Sequence, residues 1–167
     1  MSTPESGKAP SRERGRELQL VSFHVGAEEF GLDIARVQEI IRMQPLTRVP
    51  NSPSFAQGVI NLRGKVIPAL SLRKRFELEE RPVNKEMRII IVQTGGAVLG
   101  LIVDWVSEVI RLTEEMIEAP PRLHKGEREY VGGVGKVGER LLIVLDVDRL
   151  VSEKESAMAT EPASERT

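Results

Sequence analysis

The chain has 167 residues, with 24 Lys and Arg against 25 Asp and Glu, so its formal net charge is −1. This balance, with only 4% aromatic residues, argues against nucleic-acid binding, which normally needs clustered basic residues interleaved with aromatics. No cysteine is present, which excludes disulfides, thiolate metal sites and thiol chemistry. No apolar run is long enough to cross a bilayer, and the first residues lack the apolar segment of a signal peptide. The sequence therefore predicts a cytoplasmic protein.

The two ends of the chain differ in composition from the middle. Residues 1–17 and 152–167 are rich in Ser, Glu, Ala, Pro and Arg and contain little to bury, so we predict disordered tails there. Between the tails, residues 21–25 and 30–34 alternate apolar and polar side chains, with the period of half-buried strands. Residues 37–41 have apolar side chains at helical spacing, which predicts a short helical turn.

The stretch GVINLRGKVIPAL, residues 58–70, predicts a hairpin with its bend at Asn61–Gly64. In the second arm, Pro68 cannot donate a ladder hydrogen bond, so it indicates an edge strand or a bulge. Further along the chain, Ile89–Val92 is a continuous apolar run. Such a run is typical of a strand that is buried on both faces.

The chain contains an internal repeat. Residues 23–43 align without a gap with residues 92–112 at a shift of 69, and the hairpin aligns with residues 133–147 at a shift of 75. Glycines recur at matching positions in both copies, and such glycines mark bends or close approaches of the backbone. The sequence therefore predicts two structurally similar halves.

Two copies with about five short strands each predict an all-β fold of two small barrels, because closure removes exposed strand edges. We place the first barrel at about residues 18–84 and the second at about residues 85–151. A unit of this size buries a modest fraction of its surface and is marginally stable alone. We therefore expect the two copies to share an apolar seam that contains Ile89–Val92.

Candidate catalytic groups are few. His24 lies on the polar phase of the first predicted strand and His124 lies in a loop, and neither has a second ligand at metal spacing. Asp146 and Asp148 share a strand phase, either as paired acids or as solvated residues at a strand end. Residues 133–138 match GxGxxG, but a strand rather than a helix follows them. The glycines therefore fit a hairpin and not a dinucleotide site.

The most specific motif is Gly-x-x-Asn-Leu-Arg-Gly at residues 58–64, together with Val-Gln-Glu-Ile at residues 37–40. With these motifs in this order, the chain resembles the CheW family over about Leu18 to Val151. CheW proteins are cytoplasmic adaptors without catalytic activity that couple the tips of chemoreceptors in membrane-anchored arrays to the histidine kinase CheA. The resemblance implies two SH3-like five-stranded barrels with short helical turns, and no cofactor.

The resemblance also implies two docking surfaces. Receptor tips are helical hairpins, so we expect an apolar helix face to lie in a groove beside the first barrel. The predicted receptor-binding residues are Val37, Glu39, Ile40, Gly58, Asn61, Arg63 and Gly64. Contacts with the regulatory domain of CheA are predicted on the second barrel, at Val98, Gly100, Val106 and Gly138.

Two residues have two interpretations each. Arg63 is either held by Glu39 or contacts the receptor directly, since Arg is enriched at the centres of interfaces. Trp105 stands where the first copy has Arg36, and it is either a partly buried packing residue or a binding anchor.

Two other functions stay open at this point. A small-molecule or nucleic-acid binder on the same barrels would need a convergent polar pocket or a basic, aromatic stripe. A hydrolase would use Asp146 or Asp148 with His124, because catalytic groups can assemble from distant residues.

Overall fold

The structure is a computed structural model that describes residues 16–50, 56–119 and 130–150. Within this part the chain forms eleven strands: β1 Glu17–Val25, β2 Glu28–Asp33, β3 Val37–Arg42, β4 Ala56–Leu62, β5 Lys65–Ser71, β6 Arg88–Thr94, β7 Ala97–Val103, β8 Trp105–Thr113, β9 Ile117–Glu118, β10 Val131–Val137 and β11 Arg140–Leu145. Short helices α1 (Leu72–Arg75) and α2 (Val147–Leu150) follow β5 and β11, and 3-10 turns occupy Ile34–Arg36 and Glu114–Met116. The predicted C-terminal tail, residues 1–15 of the predicted N-terminal tail and His124 lie outside the described residues, whereas Glu17 of the N-terminal tail begins β1.

The strands form two sheets. One sheet has five strands in the order β3-β6-β7-β5-β4, and the other has six in the order β8-β1-β2-β11-β10-β9. Neighbouring strands are antiparallel except for the pairs β5–β7 and β2–β11, which are parallel. The sixth strand is the two-residue β9, whose counterpart in the other sheet is a single bridge between Thr47 and Val59. The predicted all-β, two-subdomain fold with short helical turns is confirmed.

Each sheet contains strands from both copies of the repeat. Strands β1 and β2 pair with β8 and β11, whereas β6 and β7 pair with β3 and β5. The expected division into a barrel at residues 18–84 and a barrel at residues 85–151 therefore does not match the sheets. The two copies exchange their first hairpins. Because a duplicated hairpin presents the same apolar pattern to either sheet, exchange keeps its packing complementarity.

The strand register repeats with the offsets found in the sequence. Val37 pairs with Val92 in one sheet and Phe23 pairs with Val106 in the other, and these four residues are related by the shift of 69. The parallel pairs repeat in the same way, with Ala69 opposite Gly100 and Val144 opposite Gly31. The internal duplication is therefore present in the pairing of the strands as well as in their sequence.

The largest cluster of buried side chains joins the two sheets. It includes Phe23 and Phe30 from the six-stranded sheet and Ile90 and Leu101 from the five-stranded sheet, each with 0% of its surface exposed. Burying such a side chain stabilises the fold by about 1.5–3 kcal/mol. The copies thus share an apolar seam, as the sequence predicts.

Strand β6 is buried on both faces. Ile90 and Val92 belong to the cluster between the sheets, whereas Ile89 and Ile91 belong to a second cluster on the other side of β6. Alternate residues of a strand point to opposite faces, so a strand with both faces covered needs an unbroken apolar run. The prediction for Ile89–Val92 is confirmed.

The helical turn predicted at residues 37–41 is wrong. This segment is strand β3, in which partly buried and exposed residues alternate, and the helical turn lies one step earlier at Ile34–Arg36. The Asp33 carboxylate accepts a hydrogen bond from the Ala35 amide at 2.9 Å and so caps this turn. Five of the six β3 residues have a register partner on β6, and this strand pairing stabilises the segment in a way that a short isolated turn lacks.

Pro68 does not mark an edge strand. Strand β5 lies between β7 and β4, and Pro68 is opposite Val59 in β4. The parallel ladder with β7 begins one residue later, at Ala69. A register shift typical of a bulge does occur in β4, between Ala56 and Gly58, next to the proline.

Candidate docking surface

The bend of the β4–β5 hairpin presents Arg63 at the surface. Arg63 and Gly64 both have positive φ angles, 51° and 87°, which suits a two-residue hairpin loop. The Asn61 side chain accepts a hydrogen bond from the Gly64 amide at 2.9 Å and stabilises this bend. The positions of Asn61, Arg63 and Gly64 are therefore set by local turn geometry.

The Arg63 side chain forms an ion pair with Glu39 of strand β3. Its Nη1 lies 3.4 Å from Glu39 Oε1, and its Nη2 donates to Oε2. Hydrogen bonding and charge from Glu39 raise the pKa of the Arg63 guanidinium. Of the two interpretations of Arg63, pairing with Glu39 is present in the structure. Arg63 is still 70% exposed, so a partner can reach its remaining N–H groups.

Strand β3 is an edge of the five-stranded sheet. Burial alternates along it, so Val37 and Glu39 are partly buried whereas Gln38, Ile40 and Arg42 are exposed. Val37 packs against the core cluster between the sheets. Ile40 is 39% exposed. The expectation that Val37 and Ile40 form one apolar floor is therefore met only in part, because Ile40 alone offers exposed apolar surface.

The structure explains the glycine at position 58 from within the chain. A Cβ at Gly58 would lie 2.5 Å from the Thr47 carbonyl oxygen, and the residue has φ +150°. Thr47 and Val59 exchange two backbone hydrogen bonds of 2.8 and 2.9 Å, which hold the Thr47 carbonyl in place. The close approach that Gly58 permits is made by the protein's own backbone. A contact between Gly58 and a receptor remains a prediction.

We expect Gly58→Ala to lower the free energy of unfolding by about 2 kcal/mol, because backbone strain and the clash with Thr47 add together. Gly64→Ala is the matched control, since Gly64 also has a positive φ but its Cβ would meet nothing within 4 Å. Urea denaturation of both variants measures the difference. Equal losses of unfolding free energy in the two variants would show that the contact between the added Cβ at position 58 and Thr47 does not destabilise the protein.

The second copy of the repeat carries a similar arrangement. The shift of 69 relates Glu39 to Glu108 and Ile40 to Val109, and Val109 is 50% exposed. Arg140, beside the bend of the β10–β11 hairpin, donates from Nη1 to the Glu108 carboxylate at 3.3 Å. The molecule thus presents two related surfaces, each with an edge-strand carboxylate, a hairpin arginine and an exposed aliphatic residue.

Arg140 also holds a more buried carboxylate. Its Nε and Nη2 lie 3.2 and 2.5 Å from the oxygens of Glu29, which also accepts a hydrogen bond from the Ser22 hydroxyl. Burial by itself would raise the pKa of Glu29, but the hydrogen bonds from Arg140 and Ser22 outweigh it and lower the pKa. Arg140 therefore also ties the β10–β11 hairpin to β2.

The four residues predicted to contact the kinase do not lie together on one subdomain. Val98 and Gly100 are on β7 in the five-stranded sheet, whereas Val106 and the bend at Gly138 belong to the six-stranded sheet. The expectation that all four sit on the second barrel is wrong, because the first hairpin of each copy has exchanged sheets. Gly100 is buried, and a Cβ there would lie 2.7 Å from Ile89 Cγ2. Gly138, with φ +63° and open space around it, is accessible.

Sequence reasoning missed a buried ion pair that joins distant segments. Arg73 of α1 is 8% exposed, and its Nε and Nη2 donate to the Asp104 carboxylate at 3.0 and 2.8 Å. Asp104 also accepts from the Gly26 amide at 2.8 Å, and Arg73 Nη1 donates to the Glu79 carbonyl at 2.7 Å. Burial would raise the pKa of Asp104, but Arg73 and the Gly26 amide outweigh it and lower the pKa.

A second ion pair repeats this arrangement with the charges reversed. Arg36 donates to both oxygens of Asp148, at 3.0 and 2.7 Å. Asp148 is the counterpart of Arg73 by the shift of 75, and Arg36 is the counterpart of Trp105, the neighbour of Asp104. This second pair is more exposed, with 39% and 49% of the two side chains accessible. The only sequence feature that links the two ion pairs is the internal repeat, which places Asp148 at the position of Arg73.

The candidate acids are therefore occupied by structural contacts. Asp148 pairs with Arg36 and accepts from the Thr94 hydroxyl. Asp146 accepts from the backbone amides of Asp148 and Arg149 at the start of α2. Paired acids at residues 146 and 148 are not the arrangement found.

Trp105 and His24 form a stacked pair. Their ring centroids are 3.9 Å apart with 6° between the planes, and Trp105 is 41% exposed. Both interpretations of Trp105 thus keep support, because one face is packed while other parts of the indole reach solvent. Among residues 16–50, 56–119 and 130–150, no group of three or more His, Cys, Asp or Glu side chains could hold a metal ion. In the same segments, no helix is long and apolar enough to span a membrane.

The fold consists of two β-sheets that have exchanged hairpins, and its surface carries ion pairs next to exposed aliphatic side chains. These features define a protein-interaction module. The family model for the CheW-like domain matches residues 19–155. The chain is 38% identical to the chemotaxis protein CheW of Klebsiella aerogenes over 141 residues, which cover 84% of this chain and 85% of that protein. It is 35% identical to the chemotaxis protein CheW of Treponema pallidum, with 89% and 90% of the chains covered.

A solved structure agrees with the sequence relatives. The scaffolding protein TtCheW from Thermoanaerobacter tengcongensis superposes with a TM-score of 0.76 at 39% identity, over 81% of this chain and 92% of that chain. The chain belongs to the CheW family. It is a non-catalytic scaffold protein of chemotaxis signalling, and neither the hydrolase nor the small-molecule or nucleic-acid alternative is favoured.

Proposed function

We propose that this protein couples the cytoplasmic tips of methyl-accepting chemoreceptors to the regulatory domain of the histidine kinase CheA. It would act in the cytoplasm, associated with membrane-anchored receptor arrays. Membership of the CheW family supports this role, as do relatives named chemotaxis protein CheW. The proposed role needs no cofactor, because the protein would act by binding its partners through its surface.

The observation that carries the receptor part of the proposal is the edge of strand β3. There Ile40 is 39% exposed on one face of the strand, and the preceding residue, Glu39, pairs with Arg63 on the other face. A helix from a receptor hairpin that lies along the open edge of β3 can place its apolar face on Ile40, while Arg63 fixes its register through polar contacts across that edge. Glu39 holds Arg63 in position before the partner arrives, which lowers the entropic cost of binding.

The kinase part of the proposal uses the six-stranded sheet. Gly138 lies at an open bend, and the exposed Val109 and the Arg140–Glu108 pair lie on the same sheet. This surface resembles the one around Arg63 but differs in detail, since Arg140 is shared with Glu29. Two related but unequal surfaces suit an adaptor that must bind two different partners at once. Linking many such contacts in an array supplies avidity, so each contact can be weak.

We expect Arg63→Ala to weaken binding to a receptor cytoplasmic fragment about fivefold while leaving the fold intact. The side chain is 70% exposed, and its ion pair contributes little to stability. Lys65→Ala is the matched control, because Lys65 is an exposed cation on the same hairpin. Pull-downs with receptor and CheA fragments, tested separately and together, measure the effect.

A charge swap separates the two interpretations of Arg63. Glu39→Arg combined with Arg63→Glu retains an ion pair but reverses the charge that a partner meets. If Arg63 contacts the receptor, the swap binds as poorly as Arg63→Ala; if its only role is to pair with Glu39, the swap restores binding. Unchanged coupling in Arg63→Ala would refute a role for this residue.

A further inference from the structure

A basic cleft is bordered by the end of β3, the start of β8 and the loop before β6. Its volume is about 620 Å³, and it is lined by Arg42, Lys85, Glu86, Arg88, Trp105 and Val106. Among the described residues of its lining, three carry a cation and one carries a carboxylate. Arg88 donates to the backbone carbonyls of Lys85 and Met87 at 2.8 and 2.9 Å. Within the described segments, Arg42 and Lys85 have no carboxylate partner. The cleft therefore carries an excess of positive charge.

Trp105 gives this cleft a fixed aromatic wall. It is the single tryptophan of the chain. His24 stacks on one face with 3.9 Å between the ring centroids, which restricts the indole before any partner binds. A restricted, partly exposed tryptophan beside arginines is the composition of an interface anchor.

The cleft is continuous with the surface proposed to bind the receptor. Arg42 is the last residue of β3, on the same exposed phase as Ile40. Two residues along a strand span about 7 Å, so a helix that covers Ile40 reaches the mouth of the cleft. The cleft's lining comes from β3, β6, β8 and the loop before β6. A broad partner segment therefore fits this surface better than a small ion.

We propose that the cleft receives an acidic helical segment of the partner that docks along β3. An apolar side chain of that segment lies against Trp105 and Val106, and neighbouring carboxylates pair with Arg42, Lys85 and Arg88. This inference rests on the receptor docking proposed above and specifies the chemistry of the partner: carboxylates beside an apolar residue, just beyond the part that covers Ile40. Complementary charge speeds association and sets orientation.

Fluorescence of Trp105 tests the proposal directly, because no other tryptophan contributes to the signal. The full chain is titrated with a tryptophan-free receptor cytoplasmic fragment at low salt and at about 0.5 M NaCl, where charges are strongly screened. We expect the Trp105 emission to shift on binding. Arg42→Glu and Lys85→Glu should each weaken binding about tenfold at low salt, and much less at high salt.

Arg111→Glu is the matched control. Arg111 is the repeat counterpart of Arg42 on β8 and is also exposed, but it lies outside the cleft, so this variant should bind like the unmodified chain. A parallel titration with pyrophosphate tests for a small-anion site.

The outcomes separate the two proposals. If the unmodified chain fails to bind the fragment, the receptor docking itself is refuted. If it binds but Arg42→Glu behaves like Arg111→Glu, or the Trp105 emission does not change, only the cleft assignment is overturned. Saturable binding of pyrophosphate that shifts the Trp105 emission would replace the acidic segment with a small-anion ligand.

Discussion

A fragment of residues 18–84 is expected not to fold as a monomer. In the intact protein its strands β1 and β2 pair with β8 and β11, and its strands β3 and β5 pair with β6 and β7. All four partner strands lie beyond residue 84. The isolated fragment would expose β1 and β2 side chains such as Phe23 and Phe30, which are 0% exposed in the intact chain. Each exposed aromatic would cost about 1.5–3 kcal/mol.

Size-exclusion chromatography with light scattering and circular dichroism measure this result. The control is the same fragment mixed with residues 85–151, because the two pieces together contain every strand and should reassemble. A chain cut in the irregular segment between α1 and β6, after folding, should stay together for the same reason. A dimer of the 18–84 fragment is consistent with exchanged hairpins. A folded monomer with cooperative unfolding would contradict the exchanged pairing.

The second large effect is expected at Arg73. Removing its side chain in Arg73→Ala leaves the Asp104 carboxylate without its charged partner, although the Gly26 amide still donates to it. Loss of one partner from a buried ion pair typically costs about 3–5 kcal/mol. We expect about 3 kcal/mol here, since the Asp104 side chain keeps 15% exposure and one hydrogen bond. Thermal and urea unfolding measure the loss.

Arg36→Ala is the matched control for Arg73→Ala. In the Arg36–Asp148 pair, Asp148 is the repeat counterpart of Arg73 and Arg36 is one residue from the counterpart of Asp104, but both side chains are much more exposed. An exposed pair contributes at most about 1 kcal/mol. Equal losses at the two sites would show that burial does not determine the contribution of Arg73. A double-mutant cycle with Asp104→Asn isolates the energy of the pair itself.

The same ion pair gives the protein a predictable dependence on pH. Because the pKa of Asp104 is lowered in the folded state, its stabilisation is fully present above the unfolded value of about 3.9. That stabilisation is lost as the pH falls from there through the lower, folded pKa. The difference in stability between the unmodified chain and Arg73→Ala should therefore be largest near neutral pH and shrink below about pH 4.

The exchanged hairpins bear on the proposed adaptor function. The two proposed docking surfaces lie on different sheets, but the sheets share one core cluster. A shift at one surface is therefore opposed by the packing of side chains that also support the other. The buried pair between Arg73 and Asp104 adds a polar link between α1, the β7–β8 corner and the β1–β2 turn. These connections keep the two surfaces in a fixed relation.

The sequence determined the fold class of this protein, and most of its strands, through local patterns. Alternation predicted β1 and β2, the unbroken run predicted the doubly buried β6, and the bend at Asn61–Gly64 predicted the β4–β5 hairpin. The offset of the repeat also predicted two similar halves. These features depend on neighbouring residues along the chain, which a single sequence displays directly.

The sequence singled out candidate docking residues but did not predict how they are arranged. The motif drew attention to Glu39 and Arg63, but β3 and the β4–β5 hairpin are not neighbours in the sheet, so the contact between these two residues depends on the tertiary fold. Gly58 was predicted as a site of close backbone approach, and the structure places the Thr47 carbonyl there; its contact with a receptor stays a prediction. The residues predicted for the kinase fell on both sheets, because their grouping assumed contiguous barrels.

Only the tertiary structure decided which strands share a sheet and which charges are buried together. The two copies have nearly the same apolar pattern, so the sequence pattern fits a hairpin that stays with its own copy as well as one that exchanges. Arg73 and Asp104 meet because the fold brings α1 beside the β7–β8 corner, across 31 residues of chain. Local patterns record which side chains prefer burial, whereas strand partners and ion pairs depend on contacts that form when the whole chain folds.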